Sequence, residues 1–257
     1  MILLKSPREI ALMRAGGRIL AEAMERLRTL VKPGISTLEI DREVEEFIHS
    51  CGAKPAFKGY RGFPATICAS INEEVVHGIP SAQRRVKEGD IIGLDLGCVV
   101  DGYYADCALT LAVGEVPPRV QELLDVTRES LERAIAECRP PRRLGDVSRA
   151  VQSYVERHGF SVVRAFVGHG IGRALHEDPQ VPNFGEPGRG PVLKPGMVLA
   201  IEPMVTMGSW EVQILEDRWT AVTQDGSLAA HFEHTVAITE HGPEVLTRLN
   251  GTEVGSA

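Results

Sequence analysis

Three of the most apolar stretches in this chain each carry a carboxylate where a buried strand would hold hydrocarbon. Ile91-Ile92-Gly93-Leu94 runs into Asp95, and Met197-Val198-Leu199-Ala200-Ile201 runs into Glu202. Glu233 is embedded in His231-Phe232-Glu233-His234-Thr235-Val236-Ala237-Ile238. A lone carboxylate in an apolar interior costs several kcal/mol unless it is paired or bound to a cation. One such acid could be satisfied by a salt bridge. Three call for a shared cation, and so for a fold that draws distant strands to one point. A turn or helix-cap role for Asp95 fails locally, because Ile91, Ile92, Leu94 and Leu96 make its surroundings a buried strand.

Asp101-Gly102 is a two-residue hairpin signal. That turn sets Gly97 opposite Asp106 and Asp95 opposite Ala108. Alternation then puts Asp95, Gly97 and Asp106 on one face, with Gly97 leaving room opposite Asp106. His169 lies in Val167-Gly168-His169-Gly170-Ile171-Gly172, where flanking glycines let the backbone bend the imidazole inward. The set Asp95, Asp106, His169, Glu202 and Glu233 is oxygen-rich with one nitrogen. It suits divalent Mn, Fe, Co or Zn rather than a thiolate-bound zinc. Four carboxylates over-neutralise one ion, whereas two ions about 3.5–4 Å apart balance them.

The rest of the chain reads as helices and strands in alternation. Ser6-Pro7-Arg8-Glu9 and Ser36-Thr37-Leu38-Glu39 are capping boxes. They open one helix ending before Pro33-Gly34 and a second ending before Gly52. Helices are also expected over about 118–137 and 146–158. Strands are expected near 65–71, 91–99, 103–112, 161–167, 197–206, 211–216, 219–223 and 232–239. The Pro/Gly-rich stretch 178–195 reads as a surface loop. A weak repeat aligns Lys87 to Asp95 with Lys194 to Glu202, His77-Gly78-Ile79 with His169-Gly170-Ile171, and helix 37–51 with helix 146–158. The common order points to duplicated halves with a pseudo-two-fold axis. Asp95 and Glu202 would be symmetry mates, with a ligand site between the halves. No linker divides the chain, so residues 1–257 are expected to form a single domain, with halves of about 1–115 and 116–250.

Composition narrows the class. With 257 residues, 43% hydrophobic, the chain can bury a large core. Its net charge of −7 argues against DNA or RNA as a partner. The basic pairs Arg84-Arg85 and Arg142-Arg143 read as solvated loop charge. Five scattered cysteines without C-x-x-C spacing indicate a reducing compartment, hence a cytoplasmic location. Ile2-Leu3-Leu4 is too short for a signal peptide, and no stretch approaches the roughly 20 apolar residues of a membrane span.

The motifs that carry these residues resemble those of type I methionine aminopeptidases of the bacterial short form. They are Val75 to Pro80, Asp95 with Asp106 eleven residues on, Gly168 to Pro179, Ile201 to Met204 and Phe232 to Thr235, and the resemblance spans about residues 5–248. It implies the pita-bread fold, an α/β architecture of pseudo-symmetric halves with a curved antiparallel sheet and helices on its outer face. It implies that Asp95 chelates one metal, that Asp106 and Glu233 bridge both, and that His169 and Glu202 complete the other. The implied reaction removes an N-terminal methionine from nascent chains when the second residue is small. Glu202 would accept the proton of the attacking water, His176 would stabilise the oxyanion, and His77 would hold the scissile amide. Phe57, Tyr60, Phe63, Cys68, Leu175 and Trp219 match the methionine pocket, an apolar and polarisable lining that suits a thioether.

There are two rival readings, the first of which shares the ligand pattern. Aminopeptidase P and prolidase-like enzymes carry a large additional N-terminal domain, which the 257-residue length disfavours. Non-catalytic binding proteins on the same fold have lost metal ligands, whereas all five are present here. No zinc-finger extension precedes the catalytic region, and the 31-residue spacing from Glu202 to Glu233 leaves no room for the helical insertion of type II members. The expected state is a monomer without DNA or membrane partners. A nascent-chain substrate implies transient ribosome contact through one of the basic pairs.

Overall fold

Ser6 and Ser36 start the first two helices, α1 (Pro7–Leu30) and α2 (Thr37–Ser50), as the capping boxes require. Each serine hydroxyl accepts the N–H of the glutamate three residues on, and that glutamate accepts the serine N–H at 2.8 Å. The structure, a computed structural model, describes residues 1–249; the remainder of the expected domain, 250–257, lies outside the described residues. After α2 come β1 (Lys54–Pro55), a 3-10 turn at Tyr60–Gly62, β2 (Ile67–Ile71), β3 (Glu74–Val76), β4 (Ile91–Val100) and β5 (Tyr103–Ala112). Helices α3 (Pro118–Ala136) and α4 (Leu144–Arg157) follow. Then come β6 (Ser161–Val162), β7 (Gly168–Gly170), β8 (Glu177–Val181), β9 (Val198–Ile201) and β10 (Met204–Thr206). The last strands are β11 (Val212–Ile214), β12 (Ala221–Thr223), β13 (Ala229–His231), β14 (Glu233–Thr239) and β15 (Gly242–Val245).

Nine strands make one antiparallel sheet in the order β1-β4-β5-β14-β9-β7-β8, with β2 also on β4 and β15 also on β14. The hairpin of β4 and β5 is as the turn residues dictate. Asp101 and Gly102 both take positive φ (49° and 81°), and the register pairs Gly97 with Asp106 and Asp95 with Ala108. Helix α1 lies across β4 and β5, and α3 packs on α4 and against β10, β13 and β14. Leu20, Leu27, Leu94, Leu96, Leu123 and Leu131 fill the layer between helices and sheet.

Three expectations need correction. The strand expected over 197–206 is two strands, because Pro203 has no N–H to continue a ladder. β9 stays in the large sheet while β10 joins β13 and β6 in a three-stranded sheet. β13 and β14 likewise part at Phe232, whose N–H donates to Pro203 O at 3.3 Å. The stretch 178–195 is not all loop: β8 reaches Val181 despite Pro179, which a strand at the end of the sheet tolerates. The strand expected over 161–167 shrinks to β6, and β7 begins beyond it. The chain changes sheet at Glu202-Pro203 and at Phe232-Glu233, so two of the buried acids sit at those crossings.

Candidate metal centre and substrate cavity

All five expected ligands come together. Asp106, His169 and Glu233, all buried, offer donor atoms within 4.8 Å of one another. His169 Nε2 lies 3.9 Å from Asp106 Oδ2 and 3.6 Å from Glu202 Oε1. Asp95 and Asp106 lie close enough that the charge of Asp95 raises the Asp106 carboxyl. His169 Nδ1 donates to Gly170 O at 2.9 Å, which leaves the Nε2 lone pair facing the acids. Among the described residues, no lysine or arginine pairs with any of the four acids, although surface pairs such as Arg14–Glu244 are frequent.

The electrostatics describe a site built for a cation. Burial pushes the Asp95 carboxyl up to about 7, and burial first, then repulsion from neighbouring acids, pushes Asp106 and Glu233 well above the usual carboxylate range. Glu202 is raised likewise, by burial and by Asp95. Asp95 Oδ1, Asp106 Oδ1 and Glu233 Oε1 are buried without any hydrogen-bond partner. Unsatisfied acceptors of this kind, beside an imidazole turned to present its lone pair, fit divalent cations. Burial also pulls His169 and His77 down to about 4 and His231 down to about 3, so these rings are neutral near pH 7.

The same acids form one wall of a cavity of about 310 Å³, and every expected substrate residue lines it. These are His77, His176, Phe57, Tyr60, Phe63, Cys68, Leu175 and Trp219. Tyr60 Oη is 2.8 Å from His176 Nδ1, and the His176 ring lies 4.3 Å from that of His169. Phe63 meets Trp219 edge-on at 5.1 Å, and His77 stands edge-on to Phe166 at 5.4 Å. His77 reaches inward from a left-handed backbone (φ 62°). Cys68 pairs with Asp95 in the β2–β4 register. Burial first, then the nearby acids, raise its thiol well above the ordinary value, so the wall there is a neutral, soft sulfur. The space at Gly97 is not left for Asp106. A Cβ there would stand 2.8 Å from Phe57 Cε1, so the glycine makes room for the Phe57 ring.

Several contributors were not legible. Thr235 Oγ1 accepts the Asp106 N–H at 3.0 Å and donates to Asp106 O at 2.7 Å. Thr110 Oγ1 does the same for His231, at 2.9 and 2.8 Å. Asn183 Nδ2 donates to Glu202 O at 2.9 Å. Arg61, Val76, Phe166, Val167 and Met204 also line the cavity. The threonines carried a signal, a hydroxyl inside an otherwise apolar strand. Phe166 and Met204 carried none, since each reads as ordinary core. The expectation of solvated charge at the basic pairs fails for Arg84, which is largely covered and binds Glu74 and Ile79 O.

The sequence profile of the metallopeptidase family M24 matches residues 11–240. The chain is 55% identical to methionine aminopeptidase 1 of Bacillus subtilis over 249 residues, 97% of this chain and 100% of that one. The solved structure of a methionine aminopeptidase from Thermotoga maritima superposes with a TM-score of 0.96 at 52% identity, over 97% of this chain and 100% of that chain. The prolidase of Pyrococcus furiosus gives a TM-score of 0.76 at 24% identity and is covered over only 66% of its length, a likeness of fold alone.

Proposed function

The chain belongs to metallopeptidase family M24, and from that premise we propose that it removes N-terminal methionine from polypeptides by metal-dependent hydrolysis of the first peptide bond. The observation that carries the reading is one cavity in which four acids without a lysine or arginine partner and a neutral imidazole face an apolar lining. A small second residue is the preferred neighbour of the methionine, and nascent chains are the natural substrates.

Asp95, Asp106, His169, Glu202 and Glu233 would hold two divalent ions of Co, Mn, Fe or Zn, the number that four acids call for. Such ions, when bound, supply Lewis acidity and a water activated near neutral pH. The side chains do the rest. Glu202 would take up the proton of the attacking water at its carboxylate and return it to the leaving amine. With the Tyr60 hydroxyl donating to His176 Nδ1, His176 Nε2–H is the donor left for the carbonyl oxygen as charge develops on it. His77 steadies the scissile amide from the opposite wall. Phe57, Phe63, Cys68, Leu175 and Trp219 take the methionine side chain.

Cleavage of Met-Ala-Ser, measured against an Ala-Pro peptide in protein loaded with each ion in turn, tests this. The expected result is hydrolysis of the first and at most trace hydrolysis of the second. Preferential cleavage before proline would sink the reading. Glu202→Gln should lower kcat by at least about 10²-fold, the scale of a lost general base.

We also read the molecule as a monomeric single catalytic domain of duplicated halves, about 1–115 and 116–250, acting in the reducing cytoplasm. Five free thiols support the compartment. Among the described residues, no helix is long and apolar enough to cross a membrane. Ribosome contact falls to the exposed Arg85, Arg142 and Arg143, and unchanged co-sedimentation after reversing those charges would remove it.

A further inference from the structure

The loop that carries Leu175 and His176 is held from behind by a charge outside the expected site. It joins β7 to β8, and Glu177, next after His176, turns its carboxylate back under it. Glu177 Oε1 accepts the N–H groups of Arg173 at 2.8 Å and Ala174 at 3.2 Å. Glu177 Oε2 accepts Lys5 Nζ at 2.6 Å, and this pair is nearly closed to solvent, at 9% and 5% side-chain exposure. Lys5 is itself tied down: its Nζ donates to Leu3 O at 3.2 Å and its N–H to Gly196 O at 2.7 Å. Gly172 completes the arrangement. A Cβ there would stand 2.4 Å from Lys5 Cε and 2.8 Å from Glu177 Oε1, so any side chain at that position would push the Lys5–Glu177 pair aside. On its far side the loop is held by the Tyr104 N–H, which donates to Gly172 O at 2.8 Å.

Burying an ion pair adds little net stability, because desolvation offsets the attraction. What the pair does supply is geometry. One carboxylate ties two loop amides to a fixed ammonium, and the next residue back is the imidazole that Tyr60 orients. We propose that Lys5 and Glu177 are positioning residues for His176. The N-terminal segment thereby serves turnover without touching substrate. The inference rests on the role proposed for His176 at the carbonyl oxygen, and the test separates the two.

The paired replacement Lys5→Met with Glu177→Gln removes both charges, keeps an acceptor for Arg173 and Ala174, and leaves no unpaired buried ion. On Met-Ala-Ser, kcat should fall about tenfold or more, the scale of a sub-ångström misplacement. KM should stay within about twofold, since the lost interaction belongs to the transition state. In a His176→Ala background the same replacement should change kcat by less than about twofold, because its route of action is gone. In the full-length metal-free protein the His176 ring ¹H–¹⁵N signals should shift or broaden while the thermal midpoint stays near the parent's. An equal kcat loss in both backgrounds overturns the proposal, as do unchanged His176 ring signals. If His176→Ala alone leaves kcat intact, the carbonyl role fails instead, and the ring signals alone decide whether the pair positions the side chain.

Discussion

Asp95 shows what a single side chain contributes before any ion arrives. Its ordinary value is 3.8 and burial raises it to about 7 in the folded chain. Below 3.8 both folded and unfolded states hold the proton. Between 3.8 and about 7 only the folded state does, so the stability it contributes is lost as pH rises through that window. Metal-free protein should therefore lose stability relative to Asp95→Asn between about pH 4 and about pH 7, with urea midpoints as the measurement. A parent-to-variant gap independent of pH would contradict the burial argument. At this scale the site was readable because its residues break a local rule: each acid stands in, or directly ends, a strand that should be apolar. Thr235 and Asn183 were not readable, since their partners Asp106 and Glu202 are brought to them only by pairing across the sheet. The Phe57 ring beside Gly97 was missed for the same reason.

Elements were legible where their signals are local. The capping boxes at Ser6 and Ser36 and the Asp101-Gly102 turn need only neighbours in sequence, and each occurs as read. Ser36→Ala should cost α2 about 1 kcal/mol in thermal or urea unfolding, the ordinary scale for a lost N-cap. The strand break at Pro203 was not legible, because the apolar run resumes at Met204 while the chain changes sheet. β5 and β14 pair directly at Glu233–Ala108 and His234–Cys107, and beyond this the threonine clamps take over. Thr235→Val keeps shape but leaves the Asp106 N–H and C=O without their partner. It should destabilise by about 1–3 kcal/mol and weaken metal affinity in calorimetry. Loss of stability with affinity unchanged would mean that the clamp does not position Asp106.

The molecule as a whole bears the mark of its two halves in the registers. Asp95 is paired to Ala108 on β5, and continuing the β9–β14 ladder one step past Ile201 sets Glu202 opposite Glu233. The exchange that carries Ala108 onto Glu233 carries Thr110 onto Thr235 and Asp106 onto His231, so the two clamps are images of each other. It also carries Gly93 onto Ala200, and hence Ser70 onto His169. The His-Gly-Ile match from the sequence is thus out of place: His77 follows β3 in a small sheet, whereas His169 lies on β7 in the large one. Because the five proposed ligands come from distant parts of the chain, divalent ions should raise the thermal midpoint. At a free concentration 100-fold above Kd the gain is about 2.7 kcal/mol per site, read by calorimetry with and without chelator. A midpoint indifferent to metal would contradict the site.

The seam between β5 and β14 has a consequence for the protein's life in a cell. Asp106 and Glu233 stand on opposite sides of it, and without a cation each is charged only at the cost of facing the other acids across a buried seam. Starvation for divalent ions would then do more than silence the enzyme. It would raise the fraction of chains that open along this line, and proteases consume the open form in proportion to its population. Scarcity of the ion would thin the pool of enzyme itself, so that abundance, and not only activity, follows the supply.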